Sequence, residues 1–306
     1  MKILVTGNCG FIGQNFVRIY KEKHEIIGID NLSYAHDSRA KLLCKTYEED
    51  IININEIGIP TDFDIVFHFG AESHVDNSIK SPFPFINSNI VGTFQILEFV
   101  KKYKIDLVMI STDEVYGDLE KDDPPFSNYY QMKPSSPYSA SKASADMLVQ
   151  AYYRTYGINT KIVRSCNNYG PFQYKEKFIP VIILNALNNS KIPLYGNGEN
   201  IREWIFVEDN CRAIMEIAQN GKNGEIYNVG SSCEITNKEM IHKILKIIGK
   251  PNSLIKYVED RKGHDKRYAL NSSKTFKLDW SLKENIDTGL EKTIKWYEKN
   301  QNYWEI

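Results

Sequence analysis

The feature that most limits this chain lies at its start. The apolar run Lys2–Thr6 breaks into Gly7-Asn8-Cys9-Gly10-Phe11-Ile12-Gly13, and residues with helical spacing follow over 11–21. A strand that ends in glycine and turns at once into a helix opens a β-α-β unit. Glycine at 7 permits the tight turn, and glycine at 10 lets the backbone approach a pyrophosphate at the helix N-terminus. Glycine at 13 allows close helix–sheet packing. The spacing is GxxGxxG rather than the usual GxGxxG fingerprint, and glycines also end strands for purely structural reasons. The rest of the chain therefore has to decide between the two readings.

Strand-like and helix-like segments alternate through the first half. Residues 25–30, 64–69 (DIVFHF), 107–111 and 160–164 read as buried strands, and 84–104 and 137–157 as helices. This rhythm predicts an α/β fold with a doubly wound parallel sheet, a dinucleotide-binding Rossmann domain over 1–166. After about residue 166 the segments shorten. Helices are expected near 207–220, 236–249 and 287–300, in a smaller C-terminal substrate lobe over 167–306, with the stretch near 204–229 re-entering the first domain. His68, inside an apolar strand, reads as a packed core residue.

Composition narrows the function classes. The net charge of −1 offers no polyanion-binding surface, so no nucleic-acid partner is expected. Cysteines at 9, 44, 166, 211 and 233 are odd in number and scattered, which argues against a disulfide framework or a zinc site and for reduced thiols. No leader pattern and no apolar run of ~18 residues is seen, so a cytoplasmic protein without a membrane partner is expected.

Two clusters carry chemistry. Asp30 ends the second strand, where a carboxylate can accept hydrogen bonds from ribose hydroxyls and repel a 2′-phosphate, favouring NAD over NADP. The alternative is a turn residue, since Asp30-Asn31 suits a turn. Tyr138 and Lys142 stand four apart after Pro137, on one helix face. A lysine ammonium beside a phenol lowers its pKa and suits it to take a proton from a sugar hydroxyl. Thr112, Asp113 and Glu114 follow the 107–111 strand, where open sheets place their ligands. Two adjacent carboxylates supply what a dehydration needs, one group to remove a carbon-bound proton and one to protonate the departing hydroxyl. A solvated acidic turn is the competing reading.

The motifs TGNCGFIG (6–13), HFGAESHVDNSI (68–79), STDEVYG (111–117), PSSPYSASKASAD (134–146), NNYGPFQYKEKFIP (167–180), PLYGNGENIREWIFVEDNCRAI (193–214) and VEDRKGHDKRYAL (258–270) run through nearly the whole chain. They resemble those of the dTDP-glucose 4,6-dehydratases, in the extended short-chain dehydrogenase/reductase superfamily. The resemblance implies a lyase with NAD as cofactor, a nucleoside-diphosphate sugar as substrate and a homodimer as assembly. It makes Tyr138 the base for the C4 hydroxyl, supported by Lys142 and by Thr112 at the same oxygen. NAD⁺ takes the C4 hydride, Glu114 removes the C5 proton, Asp113 protonates the C6 hydroxyl, and the hydride returns to C6.

The same resemblance implies cofactor contacts at Gly7, Gly10, Phe11, Ile12 and Gly13, then at Asp30, Asn31, Leu32, Ser33, Asp50 and Ile51. Phe69, Gly70, Ala71, Glu72, Ser73, Ser88 and Asn168 complete that set with Tyr138 and Lys142. Substrate contacts are implied at Ser73, Thr112, Asn167, Lys177, Phe178, Pro193 and Tyr195, and at Arg202, Asn237, Asp260, Arg261 and His264. Arginine suits a diphosphate through its planar, paired donors. The chain departs from the family pattern at Asn8-Cys9, His36, Asn77 and a short 30–50 connection. A UDP-glucose 4,6-dehydratase, a nucleotide-sugar 4-epimerase and a non-catalytic NAD-binding regulator are the alternatives. The last two have no need of the Asp113-Glu114 pair.

Overall fold

The computed structural model describes residues 1–260 and 264–304. The strands are β1 (Lys2–Thr6), β2 (Glu25–Ile29), β3 (Lys45–Tyr47), β4 (Ile65–His68), β5 (Asp106–Thr112) and β6 (Thr160–Ser165). They continue as β7 (Asn167–Tyr169), β8 (Ile192–Tyr195), β9 (Ile201–Phe206), β10 (Ile226–Val229), β11 (Glu234–Thr236) and β12 (Ile255–Val258). The helices are α1 (Phe11–Tyr20), α2 (Val75–Lys80), α3 (Phe83–Phe85), α4 (Thr93–Tyr103) and α5 (Pro137–Tyr156). After them come α6 (Phe178–Leu187), α7 (Val207–Asn220), α8 (Asn237–Ile248), α9 (Ser273–Phe276) and α10 (Ile286–Lys299).

Seven strands form one sheet in the order β10-β6-β5-β4-β1-β2-β3, parallel throughout. The fold is the doubly wound α/β class expected from the alternation. Successive residues of its central strands feed opposite cores. Ile3, Val5, Phe67, Val108 and Ile110 pack on the α1/α7 side. Leu4, Val66, Leu107 and Met109 pack on the α4/α5 side. A strand buried on both faces has no polar side to show, which is why these segments read as unbroken apolar runs. A third core joins α6, α8 and α10 to a three-stranded sheet, β11-β9-β7, beside a two-stranded pair, β12-β8.

The chain lays β2 and β3 to one side of β1, then β4, β5 and β6 to the other, so the order reverses between β1 and β4. Register aligns the carboxyl ends there. Thr6 lies opposite both Ile29 and His68, and Thr112 opposite Ser165. Ligands of open sheets sit at such a switch point. His68 is 1% exposed, with Nδ1 2.6 Å from Thr6 Oγ1 and Nε2 3.1 Å from Thr93 Oγ1.

The expected helix over 84–104 is not uniform. α3 runs into α4 through a wide π-helical turn, Ile86–Gly92. Turns of this kind widen a helix locally and often mark functional sites. This one presents Asn89, whose Oδ1 accepts from Glu72 N–H at 2.8 Å and whose Nδ2 donates to Ser141 Oγ at 2.8 Å. Among the described residues, no helix is long and apolar enough to cross a membrane.

Candidate active site

The glycine turn is fixed by sterics. Gly7 has φ of +69°, and a Cβ there would lie 2.7 Å from Gly70 N. A Cβ on Gly13 would lie 2.2 Å from Gly7 O, so α1 closes onto the turn only with glycine at that position. Gly10 differs, since a Cβ there would meet only Gly7 O, at 3.3 Å. Gly10 caps α1 without any side-chain hydrogen bond. The first turn therefore keeps backbone N–H groups without side-chain partners, an anion-binding arrangement.

A groove starts at this turn. Its outer part is lined by Gly7, Gly10, Asp30, Asn31, Ser33, Asp50, Ile51, Phe69, Gly70, Ala71, Glu72 and Ser88. Its inner part is lined by Phe11, Ile12, Gly13, Ser73, Tyr138, Lys142 and Lys177, and the two share Gly7, Gly10, Tyr34, Phe69 and Ala71. Asp30 accepts from Cys9 N–H and Leu32 N–H, both at 2.9 Å. Burial still raises its carboxyl above the ordinary range, against the pull of those two bonds. A groove with an uncapped helix start in the middle and a carboxylate at one end fits a dinucleotide. Leu32, whose N–H is given to Asp30, and Asn168 both lie outside the lining.

A second cavity lies beyond the carboxyl end of β5, lined by Glu114, Asn167, Arg202 and His264. Phe178, Pro193, Tyr195, Asn237 and Asp260 lie outside both cavities. Phe178 stacks on Trp204 at 6.0 Å, and Asp260 holds His264 Nδ1 at 2.6 Å. Arg202 donates to Ile201 O at 2.7 Å and Asp265 O at 2.9 Å, with its guanidinium 4.3 Å from the Tyr268 ring. Arg261 falls outside the described residues. Reading the sequence missed Tyr34, Ala35, Gln173 and Tyr174 on the groove, and Ser135, Ser136, Asp265 and Tyr268 on the second cavity. None of these carries a spacing signal, because they meet the site only through the tertiary fold.

Of the catalytic candidates, Tyr138 and Lys142 line the inner groove and Glu114 the second cavity, while Thr112 and Asp113 line neither. Thr112 ends β5 and caps the turn Asp113–Tyr116. Its Oγ1 accepts from Glu114 N–H at 3.2 Å and donates to Asp113 Oδ1 at 3.1 Å. Asp113 is 2% exposed, and its Oδ2 has no hydrogen-bond partner. Burial first, then the charges of Glu114 and Glu203, hold its carboxyl well above the usual range. Asp113 is thereby the carboxyl of the two whose surroundings favour the protonated form, while Glu114 lines the open cavity.

Tyr138 and Lys142 lie on α5, which starts with a capping box between Ser136 and Ser139 and Pro137 in its first turn. In this structure Lys142 is turned to a partner other than the Tyr138 phenol. Tyr138 is pushed up by burial and then by Glu114, with Thr112 acting against that. Lys142 Nζ is instead spent on Ile110 O at 2.7 Å, and burial pulls its pKa down to about 8. That shift corresponds to a folding cost on the order of 3 kcal/mol at neutral pH. A buried ammonium kept at this cost is a common mark of a functional site. Among the described residues, no group of three or more His, Cys, Asp or Glu side chains is placed to hold a metal ion.

Sequence comparison agrees with this geometry. The profile of the GDP-mannose 4,6 dehydratase family matches residues 4–293. The chain is 42% identical to the dTDP-glucose 4,6-dehydratase of Escherichia coli, over 100% of this chain and 96% of that one. The chain belongs to the dTDP-glucose 4,6-dehydratase family. Two solved members superpose over 100% of this chain and 99% of their own. The Bacillus anthracis enzyme, in complex with NAD, matches with a TM-score of 0.92 at 41% identity. The Streptomyces venezuelae enzyme, also with NAD bound, matches with a TM-score of 0.94 at 38% identity.

Proposed function

We propose that this chain converts dTDP-glucose to dTDP-4-keto-6-deoxyglucose and water, with NAD held in the groove. The observation that carries this reading is the unequal environment of two neighbouring carboxylates. Asp113 is buried with an unpartnered oxygen, and Glu114 faces the second cavity. Environments that push two carboxyl groups apart assign the acid and the base. Asp113 gives its proton to the departing C6 hydroxyl, and Glu114 takes the C5 proton. Tyr138, whose phenolate Thr112 favours, takes the C4 hydroxyl proton, and Lys142 holds the phenol's side of α5 against β5 through Ile110 O. When bound, NAD supplies the acceptor for the C4 hydride and its return to C6.

Support for NAD over NADP comes from Asp30, a carboxylate at the outer end of the groove, and from the NAD bound by the two solved relatives. Residues 1–166 with 204–229 form the cofactor unit in this reading, and the remainder of 167–306 the sugar-nucleotide lobe. Arg202 and Lys177 supply the positive charge for a diphosphate. Incubation with dTDP-glucose should yield a product whose 4-keto group absorbs in alkali. UDP-glucose should react more slowly, because one base methyl in an apolar pocket is worth ~1–3 kcal/mol. Equal rates would remove the thymine preference, and no keto product from either would remove the dehydratase reading.

The assembly is a homodimer in the same proposal. Phe83, Ile86, Phe94, Met147 and Tyr153, on α3, α4, α5 and the turn between α3 and α4, are exposed apolar groups. A second copy covers such a face at little cost in solubility. Light scattering at micromolar concentration should give twice the chain mass, and the monomer mass would count against it.

A further inference from the structure

The short connection after β2 is bound at its far side by the segment that follows α10. Asp37 N–H donates to Cys9 O at 2.9 Å, so this loop is tied directly to the glycine turn. The side chain of Asp37 is fully buried and receives the Tyr303 hydroxyl and Arg39 Nε. Arg39 returns to the same segment, donating to Tyr303 O at 2.8 Å with its guanidinium 3.3 Å from the Tyr303 ring. Trp304 meets the ring of Tyr174 at 5.1 Å, and Tyr174 meets Tyr34 at 5.8 Å. Tyr34 and Tyr174 both line the inner groove, so a line of rings runs from that segment to the groove's mouth.

Backbone conformation points the same way. Leu32 and Ala35 hold φ of +51° and +60°, and Phe172, in the loop before Tyr174, holds +68°. Such conformations are costly for residues with a Cβ and persist where surrounding contacts enforce them. Here the enforcing contacts are the Tyr303–Asp37 bond, the Arg39 pair and the rings of Phe172 and Tyr303, 5.9 Å apart.

We propose that Tyr303 and Trp304 form a clasp that holds loop 31–39 across the groove, and that Tyr303 is a positioning residue setting how long a bound dinucleotide is retained. This rests on the reading of the groove given under Proposed function. The clasp touches no reacting atom. It acts through Asp37 on the glycine turn and through Tyr174 and Tyr34 on the groove's open side. A cofactor regenerated at each turnover gains from slow release, and the clasp supplies that slowness from residues distant in sequence.

The test loads the full chain with labelled NAD⁺ and follows exchange against excess unlabelled NAD⁺. Tyr303→Ala should exchange about tenfold faster than wild type, the size that a charge-assisted hydrogen bond and a cation–π contact can carry. Tyr303→Phe keeps the ring and loses only the bond to Asp37, and should exchange about threefold faster. Ala35→Gly separates positioning from stability. It relieves a strained backbone, so it should leave the melting temperature of the nucleotide-free chain unchanged or higher while still speeding exchange. If Tyr303→Ala does not fold, the other two variants decide. Exchange at the wild-type rate in Tyr303→Phe and Ala35→Gly overturns the clasp. Wild-type protein that binds no NAD⁺ overturns the groove reading, and the clasp with it.

Discussion

Glu114→Gln should lower 4,6-dehydratase turnover by ~10²–10⁴-fold, the usual contribution of a general base or acid. Asp113→Asn should cost a similar factor, because it removes the group that protonates the leaving hydroxyl in the proposed sequence. Neither change touches the outer groove, so both variants should retain NAD. Both should also still let substrate reduce bound NAD⁺ in a single turnover, seen as NADH absorbance, since C4 oxidation precedes elimination in the proposed sequence. Tyr138→Phe should lose that signal as well. Exchange of the C5 hydrogen with solvent deuterium separates the two carboxylates, because it needs Glu114 and not Asp113. Wild-type dehydration by Glu114→Gln, beside an inert Tyr138→Phe, would make the Asp-Glu pair an ordinary solvated turn.

The second large effect is on stability in acid. His68 is held neutral in the core between Thr6 and Thr93, and burial, with a smaller push from Lys142, lowers its pKa from 6.5 to about 3. The unfolded chain takes up this proton near pH 6.5 and the folded chain only near 3. The contribution is therefore fully present above pH 6.5 and is lost as pH falls through that window. Over the full shift it amounts to about 5 kcal/mol. Urea midpoints should fall steeply from pH 7 to pH 4. His68→Asn should start lower at pH 7, because it gives up the bond to Thr93, but should lose much less between those two pH values. An acid slope unchanged by the substitution would assign the lability to other groups.

Much of this was legible in the sequence because the strands are buried on both faces. Apolar runs such as 64–69 and 107–111 have one reading when turn residues bound them. β3 escaped notice for the opposite reason, as three partly exposed residues at the sheet edge with no apolar run. The π-helical turn at Ile86–Gly92 is a change of hydrogen-bond partner, which residue spacing does not record. For the site, spacing correctly puts Tyr138 and Lys142 on one face but is silent about which atom the lysine reaches. Its partner, Ile110 O, is a backbone atom of β5 and has no residue-type signature. The rings of Tyr34, Tyr174 and Trp304 come together from three distant places in the chain, so no local pattern announces them.

Thr112 Oγ1 serves two partners at once, Glu114 N–H and the Asp113 carboxyl. An atom that accepts from one neighbour and donates to the next narrows the residue types that can stand there. Valine keeps the branched shape that suits a strand end but forfeits every bond, and serine keeps the oxygen but not the branch that steadies its rotamer. New chemistry on this scaffold can therefore be built by changing the acid or the base, while the threonine that caps their turn is kept.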